Sequence, residues 1–270
     1  MAALGVIFPP DQPPERLRPV ALAAERAGLD DLWLWEDCFA EAGVSAAAAV
    51  LGWTERIHVG VGLMPVPLRN VALTAMEIAT LARLFPGRLL PGIGHGVLEW
   101  MGQCGVRAES PMTLLREYGT ALHQLLAGES VTTSGRYVTL DDVRLAWPPE
   151  TVPPMLVGAV RAKTLALAGE IGDGLIFTGD TSVEQVREGV RIATQARPPE
   201  RRDAPFEVVA FLAVSRSSSP EHIAERVREL AAAGATRVAV LGFDDSGEPE
   251  RADGLTDFVA TLQMAAALLG

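Results

Sequence analysis

Four short stretches of this chain carry side chains whose types and spacing could do chemistry. Trp35-Glu36-Asp37-Cys38-Phe39 sets two carboxylates between aromatic neighbours, where an acid can accept hydrogen bonds from a bound molecule. Gly60-Val61-Gly62-Leu63-Met64-Pro65 places glycines inside an apolar run. Such glycines weaken a strand unless something approaches the backbone closely or a bulge is required, and both readings stand at this point. Gly92-Ile93-Gly94-His95-Gly96 repeats the pattern and adds an imidazole. Its main chain, if bare, would let a flat ring lie against it, while His95 alone is more often a structural residue of a rim than a proton donor. In Gly158-Ala159-Val160-Arg161-Ala162-Lys163 a strand turns into a helix. Free N–H groups and the dipole at a helix start attract anions. Arg161 and Lys163 oppose that dipole, so they are badly placed for stability and well placed to meet an anionic group.

Other chemistries find no support. His58, His95, His123 and His222 lie far apart with no H-x-H or H-E-x-x-H, which argues against a zinc or binuclear hydrolase, so no metal is expected. Lys163 is the only lysine and falls in a helix first turn, not at a strand end where a Schiff-base aldolase needs it. Cys38 and Cys104 have no CxxC spacing and read as two reduced thiols.

The elements that must position these stretches alternate in strict order. Strands are expected at Leu4–Phe8, Leu32–Glu36, Ile57–Met64, Leu89–Gly94, Met155–Ala159, Gly174–Thr178, Phe206–Ser215 and Arg237–Phe243, with an amphipathic helix after each. Gly28 and Gly234 stand where helices should stop, and Ser110, Ser182 and Ser219 where they should start. A glycine-containing loop follows the fourth strand, and Val131–Leu145 reads as a small hairpin laid over the rim. Apolar runs such as Val238-Ala239-Val240-Leu241 suit a parallel sheet buried on both faces. An open doubly wound sheet would carry G-x-G-x-x-G after its first strand; Phe8-Pro9-Pro10-Asp11 stands there instead. The pattern therefore predicts an α/β chain folded as a (β/α)8 TIM barrel, one domain over residues 1–270, with its site at the carboxyl ends of the strands.

Composition narrows the partners. Of 270 residues, 49% are hydrophobic and 21% charged, which rules out a disordered chain. A formal net charge of −11 repels phosphate backbones and anionic lipid, so neither nucleic acid nor membrane is an expected partner. No run approaches the ~20 apolar residues that cross a bilayer. The start of the chain lacks a basic n-region, so a cytoplasmic protein is expected.

With these residues assembled, the chain resembles the luciferase-like monooxygenase superfamily of flavin- and deazaflavin-dependent barrels. The most specific block is Arg56–Gly96, with R-I-H-V-G-V-G, Pro67-Leu68-Arg69, E-I-A-T-L-A-R-L-F-P-G-R and G-I-G-H-G. Gly28–Trp33 with Glu36-Asp37, Pro154–Ala159 and Ala168–Gly174 are similar to neighbouring parts of that family. The resemblance implies a hydride-transferring oxidoreductase that uses coenzyme F420, a deazaflavin, with FMN and oxygen activation as the alternative, and a barrel that binds cofactor without turnover as a second one. It implies a ring stacked over strands three and four, beside a non-proline cis peptide at Gly62-Leu63. Asp37 would approach the ring edge or its side chain, and Gly94, His95 and Gly96 would line its other side. Gly158, Ala159, Arg161 and Ala162 would take the cofactor phosphate, with Thr178 nearby.

Departures from the family pattern matter. Sugar-phosphate dehydrogenases of the superfamily place a histidine after the strand-two aspartate and a glutamate after the strand-four glycines; here those positions are Cys38 and Val97. Neither sugar phosphate nor that acid–base pair is expected. The replacement candidates are His95 and Glu99 as catalytic groups, with Glu36 nearby, and Trp35 and Trp100 shaping a pocket for an apolar or carbonyl-containing small molecule. A homodimer, usual in the superfamily, is the expected assembly.

Overall fold

The computed structural model describes residues 2–177, 181–215, 217–243 and 252–270. The apolar runs form strands that pair side by side in parallel. In chain order β1 is Ala3–Phe8, β2 Asp31–Leu34, β3 His58–Pro65 and β4 Leu89–Gly94, followed by β5 Val131–Ser134 and β6 Thr139–Val143. Then come β7 Leu156–Gly158, β8 Gly174–Phe177, β9 Glu207–Ser215 and β10 Arg237–Phe243. Eight of these close into a barrel in the order β1-β10-β9-β8-β7-β4-β3-β2, and β5-β6 form a separate antiparallel hairpin. Val6 pairs with Val240 on one side and Leu32 on the other, which seals the cylinder between first and last strands.

The helices are α1 Leu17–Arg26, α2 Gly43–Trp53, α3 Val71–Leu84, α4 Leu98–Gln103, α5 Pro111–Leu126, α6 Ala162–Ile171, α7 Val183–Ala196, α8 Pro220–Ala232 and α9 Ala252–Leu269. Ser182 closes a capping box with Gln185, and Ser219 accepts from the His222 N–H, as their positions predict. Gly28 ends the first helical segment at φ +73°, the left-handed conformation a C′ glycine supplies. Two layers of apolar packing result. Barrel strands and helices share a large outer cluster, while Ile7, Trp33, Leu90, Leu156, Ile176, Val209 and Phe211 help fill the inside of the cylinder.

Three local expectations need correction. The stretch after β4 is not all loop: Leu98–Gln103 forms α4, too short to show a helical period in the sequence. β2 ends at Leu34, so Trp35 and Glu36 have left the ladder. Ser110 precedes α5 as expected, but it makes no side-chain cap; its Oγ lies 2.8 Å from Thr113 Oγ1, and its N–H donates to the Tyr137 hydroxyl. Thr178 falls outside the described residues.

Candidate active site

The floor of the carboxyl-end mouth is aromatic. Trp33 and Phe211 meet edge to face at 5.8 Å, and Trp35 stacks on Phe211 at 5.8 Å and 28°. Phe243, at the end of β10, packs against the same group. These side chains fit because glycines make way for them. A Cβ on Gly60 would sit 2.3–2.5 Å from the Trp33 ring, and one on Gly62 would sit 2.9 Å from Phe211 Cζ.

The wall over β3 and β4 differs from the expected bare main chain. Pairing between these strands shifts register between Val61 and Met64, and the Gly62-Leu63 peptide is cis, where the resemblance places such a bond. Cys38-Phe39 is a second non-proline cis peptide, with no sequence signal of its own. Leu63 leaves the ladder half-buried and folds its side chain over two neighbouring strands. Its Cδ2 lies 2.6 Å from where a Gly94 Cβ would be and 2.2 Å from where a Gly158 Cβ would be. The glycines therefore cradle Leu63, and Gly62 and Gly94 are themselves buried. Leu63, His95, Gly96 and Gly158 remain partly exposed and form the surface a ligand would meet on this wall.

The polar groups of the mouth are poorly partnered. Asp37 is half-buried, and its carboxylate has no hydrogen bond or ion pair among the described residues; burial alone pushes its pKa up. His95 lies against the Pro111 backbone at the start of α5. Burial lowers its pKa, the Pro111 contact pulling the other way, so the imidazole is neutral at neutral pH. His95 Nδ1 and Trp35 Nε1 are buried without a partner among the described residues. Glu99 stands exposed in the first turn of α4. At α6, Arg161 is the N-cap residue in an extended conformation and offers no side-chain cap. The Ala162, Lys163 and Thr164 N–H groups find no acceptor among the described residues, as the first turn of an uncapped helix leaves them. Arg161 and Lys163 are exposed and form no ion pair among those residues.

Glu36 does not join this group. Its carboxylate accepts from the Gly43 N–H at 2.8 Å and from Arg69 at 2.6 and 3.3 Å, so the structure commits it to holding loops together. Sequence reasoning placed Glu36 among possible acids and gave Arg69 no role. The missed signal was an acid seven residues before an uncapped helix start. A cleft of about 460 Å³ is bounded by the turn after β3 with Leu68 and Arg69, by Arg107 beyond α4, and by Tyr118 and Tyr137. No cluster of three His, Cys, Asp or Glu that could hold a metal occurs among the described residues. Nor is any described helix long and apolar enough to cross a membrane.

Comparison with known proteins agrees with this architecture. The 5,10-methylenetetrahydromethanopterin reductase of Methanolobus tindarius is 31% identical over 206 residues, 74% of this chain and 62% of that relative. The chain thus spans less than two thirds of that protein's length. An F420-dependent glucose-6-phosphate dehydrogenase of Beutenbergia cavernae is 29% identical over 254 residues, 88% of this chain and 75% of the relative. Among solved structures, a monooxygenase from Streptomyces bottropensis superposes with a TM-score of 0.81 at 14% identity, covering 99% of each chain, which shows the shared fold. A family model for luciferase-like monooxygenases matches residues 3–263, and the chain belongs to that family.

Proposed function

We propose that this protein is an F420-dependent oxidoreductase acting on an apolar or carbonyl-containing small molecule. The observation that carries the reading is the Leu63 wall above an aromatic floor, with an uncapped, doubly basic helix start directly beyond Gly158, on which Leu63 packs. Coenzyme F420, when bound, carries the hydride on its deazaflavin ring, and the protein supplies position and exclusion of water. Leu63 would back one face of the ring, which thus rests on a side chain packed over Gly94 and Gly158 instead of on bare glycine. Gly62 acts from below, by giving Phe211 room. Ala162, Lys163 and Thr164 N–H groups with Arg161 fit a phosphate, and Gly158 and Ala159 shape the turn that presents them. His95 and Gly96 continue the Leu63 wall, and Asp37, in the loop after β2, would approach the ring edge. Trp35 and Phe243 keep the floor dry.

His95 and Glu99 are the groups we assign to proton handling. A neutral, partly buried imidazole can accept a proton from a bound molecule, and Glu99, exposed in the first turn of α4, is the acid we assign to supply one. His95→Gln should lower kcat with little effect on F420 affinity, whereas Glu99→Gln should act mainly through kcat for substrates that need a proton.

Intrinsic fluorescence tests the cofactor. Titration with F420 should quench the tryptophans at the mouth, and FMN should not compete at equal concentration. Tight binding of FMN with none of F420 would replace this reading by a flavin monooxygenase. Binding of neither would overturn it, and F420 binding with no turnover of reduced cofactor against a panel of ketones and enones would leave a carrier barrel. The same reading includes a second copy of the chain. Leu73, Met76 and Leu84 are exposed along α3 and suit an apolar homodimer contact. Light scattering should give twice the chain mass, and Met76→Arg should halve it.

A further inference from the structure

Among the described residues, the Glu36–Arg69 pair breaks the mouth's pattern of unpartnered charge. Glu36 is 8% exposed, yet it lies in the loop after β2, directly before Asp37. One of its oxygens accepts from the Gly43 N–H, which closes the loop 37–42 on itself and stands in for the missing side-chain cap of α2. Both oxygens also take the Arg69 guanidinium. Arg69 follows the short turn after β3, the strand that presents Leu63, and its Nε lies 3.6 Å from Glu77 on α3. Space around the carboxylate is tight: a Cβ on Gly43 would lie 3.2 Å from Glu36 Oε2 and 2.8 Å from Val61 Cγ1.

Such a pair contributes little net stability, because desolvating both charges offsets their attraction. What it does supply is directional. A bidentate contact fixes distance and orientation between the two loops it joins. We propose that Glu36 and Arg69 are positioning residues, a buried clamp that makes the Asp37 loop and the loop beyond Leu63 one rigid body and so sets both walls of the cofactor cleft at once. This inference rests on the reading of the mouth as an F420 site. It assigns no chemistry to either residue.

Glu36→Gln tests it, because the amide oxygen still accepts from Gly43 while the charge that orients Arg69 is gone. F420 affinity should fall about tenfold, measured by tryptophan quenching, while kcat at saturating cofactor stays within about twofold. Arg69→Lys, which keeps charge but loses the fork, should behave alike. Hydrogen exchange without cofactor should accelerate in both loops, 37–42 and 66–70, in either variant, and in the wild-type protein F420 should protect the two loops together. Unchanged affinity in a folded variant, or acceleration confined to one loop, would overturn the clamp. Should a variant fail to fold, the wild-type protection pattern decides: protection of one loop without the other counts against it. If wild type binds no F420, the cofactor reading fails, and the exchange of both loops still judges the clamp.

Discussion

The two ends of the barrel treat charge in opposite ways. At the amino end nearly every buried or half-buried ion is sewn to its surroundings. Glu25 accepts from the Glu55, Arg56 and Ile57 N–H groups at 2.7, 2.7 and 3.3 Å. Arg88 donates to the carbonyls of Leu51, Thr54 and Ile57, and Asp30 accepts from the Leu4 N–H. Asp31 is fully buried and held by Arg237 at 2.6 Å, which in turn reaches Glu207. At the carboxyl end Asp37, Glu99, Arg161 and Lys163 lack such bonds among the described residues. That division, with polar contacts made at one end and groups left unbonded at the other, is what the proposed site at the carboxyl end predicts. Glu36 and Arg69 are the exception, and they join loops.

The sharpest way to break this contrast is to remove one partner at each end. Arg237→Met leaves the Asp31 carboxylate buried without its guanidinium and should cost about 3–5 kcal/mol in urea denaturation. Asp37→Asn should change stability by less than about 1 kcal/mol while altering F420 affinity. Equal stability losses would erase the distinction. Within the mouth, Gly158→Ala drives a methyl onto Leu63 and should weaken F420 binding about tenfold, and adding Leu63→Ala should recover part of that loss. Additive losses would show that Leu63 is not what the glycine accommodates. Arg161→Ala should weaken F420 binding about fivefold, and Arg187→Ala on α7 should leave it unchanged; matching effects would remove the phosphate turn.

The smallest effect concerns pH. Burial pushes Asp31 up from 3.8 to about 6, with Arg237 opposing, so the folded state holds that proton more tightly than the unfolded chain. Its contribution is complete below the unfolded value and is lost as pH rises through about 6. His95 works the other way: burial lowers it below 6.5, so its contribution is present above that value and is lost as pH falls. Acidifying from about pH 7.5 to 5.5 therefore favours the amino end and strains the mouth. His95→Asn should make Tm rise by about 1–3 °C more over that interval than it does in wild type. Identical pH slopes would mean that the imidazole is not buried as described.

The architecture was legible because parallel strands buried on both faces must be runs of apolar residues, and crossover helices must follow them. The strand ends were legible too, which is why Leu63, His95, Gly158 and Arg161 share one mouth. The glycines misled. Their spacing announces close approach but not what approaches, and here the neighbours are Trp33, Phe211, Ile176 and Leu63 from other parts of the chain. The Glu36–Arg69 pair was invisible for the same reason, since its partners are 33 residues apart in sequence.

By itself, then, the sequence determined the periodicity, the order of elements and the end of the cylinder where the candidate residues collect, since these depend on local preference and on the hydrophobic pattern. Only the tertiary structure decided which side chain fills each glycine's space, which acids are paired and which imidazole is shielded. Those outcomes depend on distances across the barrel, and packing sets such distances only when all eight strands have closed.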